Sequence, residues 1–227
     1  MSETMTLMSP VITPADLPAP RTADAPYRVV MVCTGNICRS AMAEMVLIDR
    51  LTAAGVPTDG ADGVLVTSAG VSDEELGNPV DRRARRVLAD HGYGTGSSPT
   101  DLAVSTAIAT HHAHRLSDSE LAGADLLMAM TCAHRREMLS RAERLGVETS
   151  RVRMFREMDP RVLAERQAIA DGASHRSLGT LDVPDPWYGT VDDFIQTLEV
   201  VERVSDALAP ALVELAAERS RASQVRP

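Results

Sequence analysis

The feature that most constrains this chain is the run at 30–40, Val-Met-Val-Cys-Thr-Gly-Asn-Ile-Cys-Arg-Ser. An apolar segment ends at Cys33, a short loop containing Gly35 follows, and apolar residues then recur at helical spacing from Ala41 onward. The pattern predicts a buried strand, a tight turn and a helix start. It places Cys33 at the end of the strand and Arg39 at the entry to the helix.

This arrangement favours a bound phosphate. The backbone N–H groups of residues 34–40 can point inward and form a concave anion site. The N-terminus of the new helix adds unpaired amides and the positive end of its dipole. Arg39 offers a planar fork for two phosphate oxygens, and the same positive field favours a thiolate on Cys33. The run therefore predicts a sulfur nucleophile aimed at phosphorus.

The composition sets outer limits on fold and function. The 227 residues are 44% hydrophobic, enough for one α/β domain with a core of its own. The net charge is −9, which argues against a general nucleic-acid binder. No stretch of 18 apolar residues occurs, and the N-terminus does not have the pattern of a signal peptide, so no membrane partner is expected. Three cysteines form no disulfide framework, which suits a reducing, cytoplasmic location.

Strands alternate with helices along the chain. Strands are predicted at 27–33, 64–68, 125–130 and 152–155, and helices at 40–54, 78–91, 132–145 and from 190 onward. This order predicts a single α/β domain with a central four-stranded parallel sheet, Rossmann-like, with helices on both faces. The predicted organisation is a disordered Pro-rich tail at 1–26, a domain at 27–216 with inserts near 93–112 and 161–181, and a frayed tail at 217–227.

A second candidate for the chemistry lies late in the chain, in the segment 183–189, Val-Pro-Asp-Pro-Trp-Tyr-Gly. Displacing an alcohol from phosphorus needs a proton donor, and Asp185 lies between two prolines that stiffen its backbone. Taken alone, the segment is more typical of a plain Asp-Pro turn before a helix.

Taken together, these segments resemble the low-molecular-weight protein tyrosine phosphatase family, bacterial type. The resemblance rests on the run 33–40 with Met-Ala-Glu at 42–44, on Thr-Ser-Ala-Gly at 67–70, and on Asp-Pro-Trp-Tyr-Gly at 185–189. It spans about 27–92, 113–160 and 182–210. It implies a phosphatase of the same fold that needs no metal or cofactor. Its substrate would be a phosphotyrosine protein or a small aryl phosphate, and its product inorganic phosphate.

The resemblance also implies roles for single residues. Cys33 would be the nucleophile that forms a phosphocysteine, and Asp185 would protonate the leaving oxygen and then activate water. Cys38 would be a redox partner of Cys33, with an inert packed thiol as the alternative. The implied phosphate-binding set is Thr34, Gly35, Asn36, Ile37, Cys38, Arg39 and Ser40, in which Ser40 supports the sulfur and Asn36 braces the loop. The implied substrate rim is Trp187, Tyr188 and Glu74.

The chain departs from the family pattern on the pocket wall. Val-Ser-Asp-Glu-Glu at 71–75 stands where members often carry an aromatic residue, and such an acidic wall would repel acidic peptides. His111, His112 and His114, at the end of the first insert, are predicted to be solvated rather than metal ligands.

Three other functions stay open. Thiol-dependent arsenate reduction uses a related loop but needs resolving thiols, and beyond the loop only Cys132 remains. Phosphoarginine hydrolysis is known for relatives that tend to carry threonine at the position of Ile37. A weakly active phosphotyrosine-binding module would keep Arg39 and lose turnover.

Overall fold

The computed structural model describes residues 11–58, 60, 62–172 and 179–225. The strands are β1 (Tyr27–Cys33), β2 (Val64–Gly70), β3 (Leu126–Ala129) and β4 (Val152–Met154). The α-helices are α1 (Arg39–Ala53), α2 (Arg82–Asp90), α3 (Pro99–Thr110), α4 (Asp118–Gly123), α5 (Cys132–Leu145), α6 (Pro160–Ala170) and α7 (Val191–Val225). Among these described helices, none is both long and apolar enough to cross a lipid bilayer.

The four strands form one parallel sheet in the order β2-β1-β3-β4, which confirms the predicted architecture. The chain leaves β1 for β2 on one side and returns for β3 on the other, so the strand order reverses at β1. Ligands of such sheets bind beyond the carboxyl ends of the strands at this reversal. Cys33 ends β1 opposite Gly70 of β2, and the segment that follows Cys33 occupies this position.

Both faces of the sheet are covered by helices. Val29 and Met31 belong to the larger core, which includes residues of α1, α3 and α7. Val30 and Val32 belong to the smaller core, which includes residues of α4 and α5. Because successive side chains of a strand alternate between faces, the apolar run of β1 is buried on both sides.

The N-terminal segment corrects one prediction. Residues 1–26 are predicted to be disordered, but Ile12 and Leu17 are buried, at 6% and 7% exposed. The Arg21 N–H donates to the Asp125 carboxylate at 2.6 Å, and the Tyr27 hydroxyl donates to a tail carbonyl at 3.0 Å. The prediction is wrong over 11–26, because Ile12 and Leu17 pack against the domain. The polar, proline-rich composition around these two apolar residues does not indicate that contact. Residues 1–10 lie outside the described residues.

The C-terminal tail is also different from the prediction. Helix α7 continues through the segment 217–227, predicted to be frayed, as far as Val225. Arg219 is 9% exposed and donates to the carbonyl of Thr22 at 3.0 Å and to that of Ala25. The last turns of α7 therefore hold the N-terminal segment, a contact between the two ends of the chain that local composition does not reveal.

Three helix predictions are resolved by the structure. The predicted start of a helix at Asn78 is wrong, because Asp81 caps α2 by accepting the Arg83 N–H at 2.7 Å. The insert at 93–112 contains α3, whose Val104 is fully buried. The insert at 161–181 contains most of α6, and its residues 173–178 lie outside the described part. The domain boundaries at 27 and 216 remain predictions.

Candidate active site

One cleft opens at the carboxyl end of β1. It lies between the phosphate loop (residues 34–39), the acid loop (residues 183–189) and the acidic wall (residues 74 and 75). Its lining comprises Cys33, Thr34, Gly35, Ile37, Cys38, Arg39, Glu74, Glu75, Asp185, Trp187 and Tyr188. The fold thus brings together nearly all the residues predicted for the site, while Asn36 and Ser40 are fully buried beneath it.

The Cys33 sulfur lies at the base of the cleft, and the residue is 2% exposed. Its Sγ is 3.0 Å from the Ser40 hydroxyl and accepts the Asn36 backbone N–H at 3.3 Å. Both contacts supply hydrogen-bond donors to an anionic sulfur. A thiolate here would be stabilised before any substrate arrives.

Asn36 fixes the conformation of the phosphate loop. It has φ +59°, a left-handed conformation that asparagine tolerates better than most residues. Its Nδ2 donates to Ser40 at 3.1 Å and to Ser68 at 2.7 Å, and its Oδ1 accepts the His114 N–H at 3.1 Å. These bonds hold a strained residue in place. That Asn36 braces the loop for phosphate binding stays a prediction.

His111 corrects the prediction of three solvated histidines. It is 8% exposed, its Nε2 lies 2.7 Å from the Asn36 carbonyl, and its Nδ1 lies 3.7 Å from Glu44. His112 is exposed, and the His114 ring contacts Glu120 at 2.8 Å. The prediction failed at His111 because the insert ends directly behind the phosphate loop, and only the tertiary fold places it there.

Arg39 points its guanidinium into the cleft from the first turn of α1, and the residue is 4% exposed. Nη1 donates to the Val183 carbonyl at 3.2 Å, and Nη2 donates to Thr34 Oγ1 at 3.2 Å and to Asp185 Oδ2. Its buried Nε has no hydrogen-bond partner within the described residues. A buried donor without a partner is costly, so Arg39 retains a donor suited to an anion.

Asp185 faces Arg39 from the acid loop, with 43% of its side chain exposed. One carboxylate oxygen accepts the Trp187 N–H at 3.1 Å, and the other accepts Arg39. An acid on a loop, oriented by its own backbone and open to solvent, is placed to exchange a proton with a group above the sulfur.

His134 is a site residue that the sequence analysis missed. It lies in the first turn of α5, is 5% exposed, and its Nε2 lies 3.0 Å from Thr34 Oγ1. Burial, and then the nearby Arg39 charge, lower the pKa of His134 to about 4. At neutral pH the ring is therefore uncharged, and Thr34 Oγ1, which accepts from Arg39, connects His134 to the guanidinium through hydrogen bonds. No local motif marks this histidine; only the α5 helix brings it to the phosphate loop.

Two glycines allow the loops to approach each other. A Cβ on Gly70 would lie 2.5 Å from the Thr34 carbonyl oxygen, and one on Gly35 would lie 2.8 Å from Glu75 Cγ. The acidic wall therefore packs closely against the phosphate loop. On the opposite rim, Tyr188 is 95% exposed and Trp187 is partly buried against the larger core.

All three cysteines are free thiols. Cys38 shares the cleft with Cys33, and burial raises its pKa above the ordinary range. Cys132 is exposed at the start of α5 and is absent from the cleft lining described above. The little desolvation it experiences, and then hydrogen bonding to Asp182, raise the pKa of Cys132.

A sulfur and an arginine in one anion-binding loop, facing an aspartate at the switch point of a parallel sheet, define a cysteine-dependent phosphatase. The family model for low molecular weight phosphotyrosine protein phosphatases matches residues 28–221. The chain belongs to this family.

Relatives and solved structures agree with this assignment. The low molecular weight protein-tyrosine phosphatase A of Mycobacterium tuberculosis is 40% identical over 177 residues, 78% of this chain and 86% of the relative. The T. tengcongensis low molecular weight protein tyrosine phosphatase is 26% identical with a TM-score of 0.57, covering 81% of this chain and 97% of its own. The YwlE arginine phosphatase, solved as a mutant with a phosphorylated active-site serine, is 25% identical with a TM-score of 0.56, covering 82% and 95%.

Proposed function

We propose that this chain is a protein tyrosine phosphatase that hydrolyses phosphotyrosine or aryl phosphate monoesters through a phosphocysteine at Cys33. The observation that carries the proposal is that Cys33, Arg39 and Asp185 line one cleft, with Arg39 in contact with Asp185. These are the three groups that such a displacement requires: a nucleophile, an anion clamp and a proton donor.

Substrate binding begins at the phosphate loop. The phosphoryl oxygens accept the loop N–H groups, and Arg39 turns its Nη2 from Asp185 to the phosphate while its free Nε donates as well. Such preorganised donors stabilise the charge of the transferring phosphoryl group. Release from Arg39 leaves Asp185 able to carry a proton beside the leaving oxygen.

In the first chemical step, the Cys33 thiolate attacks phosphorus and a sulfur–phosphorus bond forms. The bond to the aryl oxygen breaks, and Asp185 gives its proton to that oxygen. The phenol leaves, and the phosphoryl group remains on Cys33.

In the second step, Asp185 takes a proton from water as the water oxygen attacks phosphorus. The sulfur–phosphorus bond breaks, and Cys33 is released as a thiolate that accepts a hydrogen bond from the Ser40 hydroxyl. Inorganic phosphate leaves, and Asp185 is protonated for the next cycle. The chemistry needs a free thiol, which fits a reducing, cytoplasmic setting.

Three observations favour an aryl ester over phosphoarginine. The rim carries Trp187 and the exposed Tyr188, which can stack on an aromatic leaving group. The cleft base carries the apolar Ile37, 6% exposed. The identity to the M. tuberculosis tyrosine phosphatase, 40%, also exceeds the 25% identity to the arginine phosphatase.

The enzyme claim is tested with phenyl phosphate and phosphotyrosine peptides, using Cys33→Ser and Asp185→Asn. We expect no turnover by Cys33→Ser, with phosphate still bound in a calorimetric titration, and a loss of about 10²–10⁴-fold in Asp185→Asn. Turnover that survives Cys33→Ser refutes the mechanism. Phosphate binding without turnover in the unmodified chain would instead indicate a binding module.

The substrate claim is tested by parallel assays with matched phosphotyrosine and phosphoarginine peptides. A higher kcat/KM on phosphoarginine would replace the aryl-ester assignment. Arsenate-dependent oxidation of thiols would indicate the reductase, but Cys132, with its raised pKa, is a poor candidate for the attacking thiol that reaction needs.

A further inference from the structure

Arg83 connects helix α2 to the acid loop. Its Nη1 donates to the carbonyl of Trp187 at 3.0 Å and to that of Gly189 at 3.3 Å. Trp187 is the residue whose N–H holds the Asp185 carboxylate. Trp187 therefore links the two residues: its carbonyl accepts from Arg83, and its N–H donates to Asp185, the predicted general acid.

The guanidinium of Arg83 also contacts two aromatic rings. It lies 5.5 Å from the centre of the Trp187 ring and 4.6 Å from that of the Phe194 ring. Phe194 is fully buried in the first turn of α7. These cation–π contacts hold the Trp187 ring near Arg83, and Phe194 ties Arg83 to the larger core.

Arg83 is also connected to the phosphate loop, through the carboxylate and the backbone of Asp81. The guanidinium contacts the Asp81 carboxylate at two points, Nε to Oδ1 at 3.2 Å and Nη2 to Oδ2 at 3.1 Å. The Asp81 N–H donates to the carbonyl of Ile37 at 2.8 Å. A continuous chain of bonds thus runs from the loop that binds the phosphate to the loop that carries the acid.

We infer that Arg83 is a positioning residue that sets the Asp185 carboxylate and the Trp187 rim at a fixed height above the phosphate loop. The inference rests on the proposed function, because it assigns Arg83 a part in proton donation by Asp185. Arg83 acts through the acid loop, since the residues that line the cleft do not include it.

The kinetic test uses Arg83→Met, which keeps most of the length of the side chain but removes its charge and donors. The matched control is Arg82→Met, an exposed arginine of the same helical turn. The substrates are aryl phosphates whose leaving groups range from nitrophenol to phenol. A good leaving group needs little protonation, whereas phenol depends on the acid.

We expect Arg83→Met to lower kcat/KM about 10-fold or more for phenyl phosphate, which is a fraction of the loss expected from removing the general acid itself. With nitrophenyl phosphate, kcat/KM should change little. In an Asp185→Asn background the same substitution should add nothing. Arg83→Lys should be intermediate, because an ammonium cannot contact both carbonyls and the Asp81 carboxylate. A uniform loss across the series, or an additive loss in the Asp185→Asn background, would overturn the inference.

The second test is independent of turnover. Trp187 is the only tryptophan of the chain, so intrinsic fluorescence reports on the Arg83 contact directly. We expect acrylamide to quench Arg83→Met more strongly than the unmodified chain or Arg82→Met. Quenching equal to that of Arg82→Met would overturn the inference whatever the activity. Absence of turnover in every variant, with quenching raised only in Arg83→Met, would reject the proposed function while keeping Arg83 as the residue that holds the acid loop.

Discussion

The Cys33 sulfur lies 3.0 Å from the Ser40 hydroxyl, and both are buried at the junction of β1 and α1. In the proposed mechanism, this contact gives the sulfur a donor when it carries negative charge, as nucleophile and again as leaving group. The strand places Cys33 and the helix places Ser40, so the pair depends on the turn between them.

Removing this donor should slow the release of phosphate from sulfur. We expect Ser40→Ala to lower kcat about 10-fold or more, the effect of losing one hydrogen bond to a charged group. Rapid-mixing kinetics should show a larger burst of phenol, because the phosphocysteine accumulates. An unchanged kcat with unchanged burst would show that the Ser40 hydroxyl does not support the sulfur.

The Arg39–Asp185 ion pair predicts that Asp185→Asn strengthens phosphate binding although it lowers turnover. Asp185→Asn removes a carboxylate that competes with phosphate for Arg39 and repels the incoming dianion. Inorganic phosphate should therefore bind several-fold more tightly while turnover falls. Titration calorimetry measures the first effect, and weaker binding in the variant would contradict this account of the resting state.

His134 predicts a pH dependence of stability. Its pKa is about 4 in the folded chain, against about 6.5 when unfolded, so the unfolded state binds the extra proton between these values. Stability should thus be complete above pH 6.5 and should fall as the pH drops toward 4. The expected loss from pH 7 to pH 5 is about 2 kcal/mol.

Urea denaturation of the unmodified chain and of His134→Gln measures this loss. Glutamine cannot titrate, yet its carbonyl can still accept from Thr34. The difference between the pH 7 and pH 5 free energies of unfolding should shrink in the variant. Equal pH slopes for both chains would remove His134 as the cause.

The acidic wall predicts a charge preference in peptide substrates. Glu74 and Glu75 line the cleft, so acidic residues flanking a phosphotyrosine meet like charges. Glu74→Gln should raise kcat/KM several-fold for an acidic peptide at low salt and less at high salt. Asp73→Asn, just outside the lining, is the matched control, and an equal gain in both variants would point to net charge alone.

The predicted redox pairing of Cys33 and Cys38 has its own test. Both thiols line the same cleft, and burial raises the pKa of Cys38, which keeps its sulfur protonated in the reduced chain. We expect peroxide inactivation to be reversed by dithiothreitol in the unmodified chain and to become irreversible in Cys38→Ser. Equal recovery in both would leave Cys38 as a packed thiol.

Local patterns predicted much of this molecule. The apolar runs at 27–33 and 125–130 form strands of the parallel sheet, because burial on both faces demands near-continuous hydrophobicity. Helix α5 spans the predicted 132–145, with Thr131 at its N-cap, since capping depends on neighbours a few residues away. The predicted helix start at Asn78 was wrong because the chain offers a second capping residue three positions later, and Asp81 is the N-cap of α2.

By itself the sequence determined the sheet, the position of Cys33 at its carboxyl edge, the Cys-x5-Arg loop and the candidate acid at Asp185. The first three depend on spacing along the chain, whereas the acid role of Asp185 rests on the resemblance to the family. Only the tertiary structure decided that His111 braces the phosphate loop, that His134 holds Thr34, and that Arg83 grips the acid loop. Only the tertiary structure decided, too, that residues 11–26 dock on the domain. Those contacts join residues far apart in sequence, and no local pattern of hydrophobicity, charge or capping records which distant segment will pack against them.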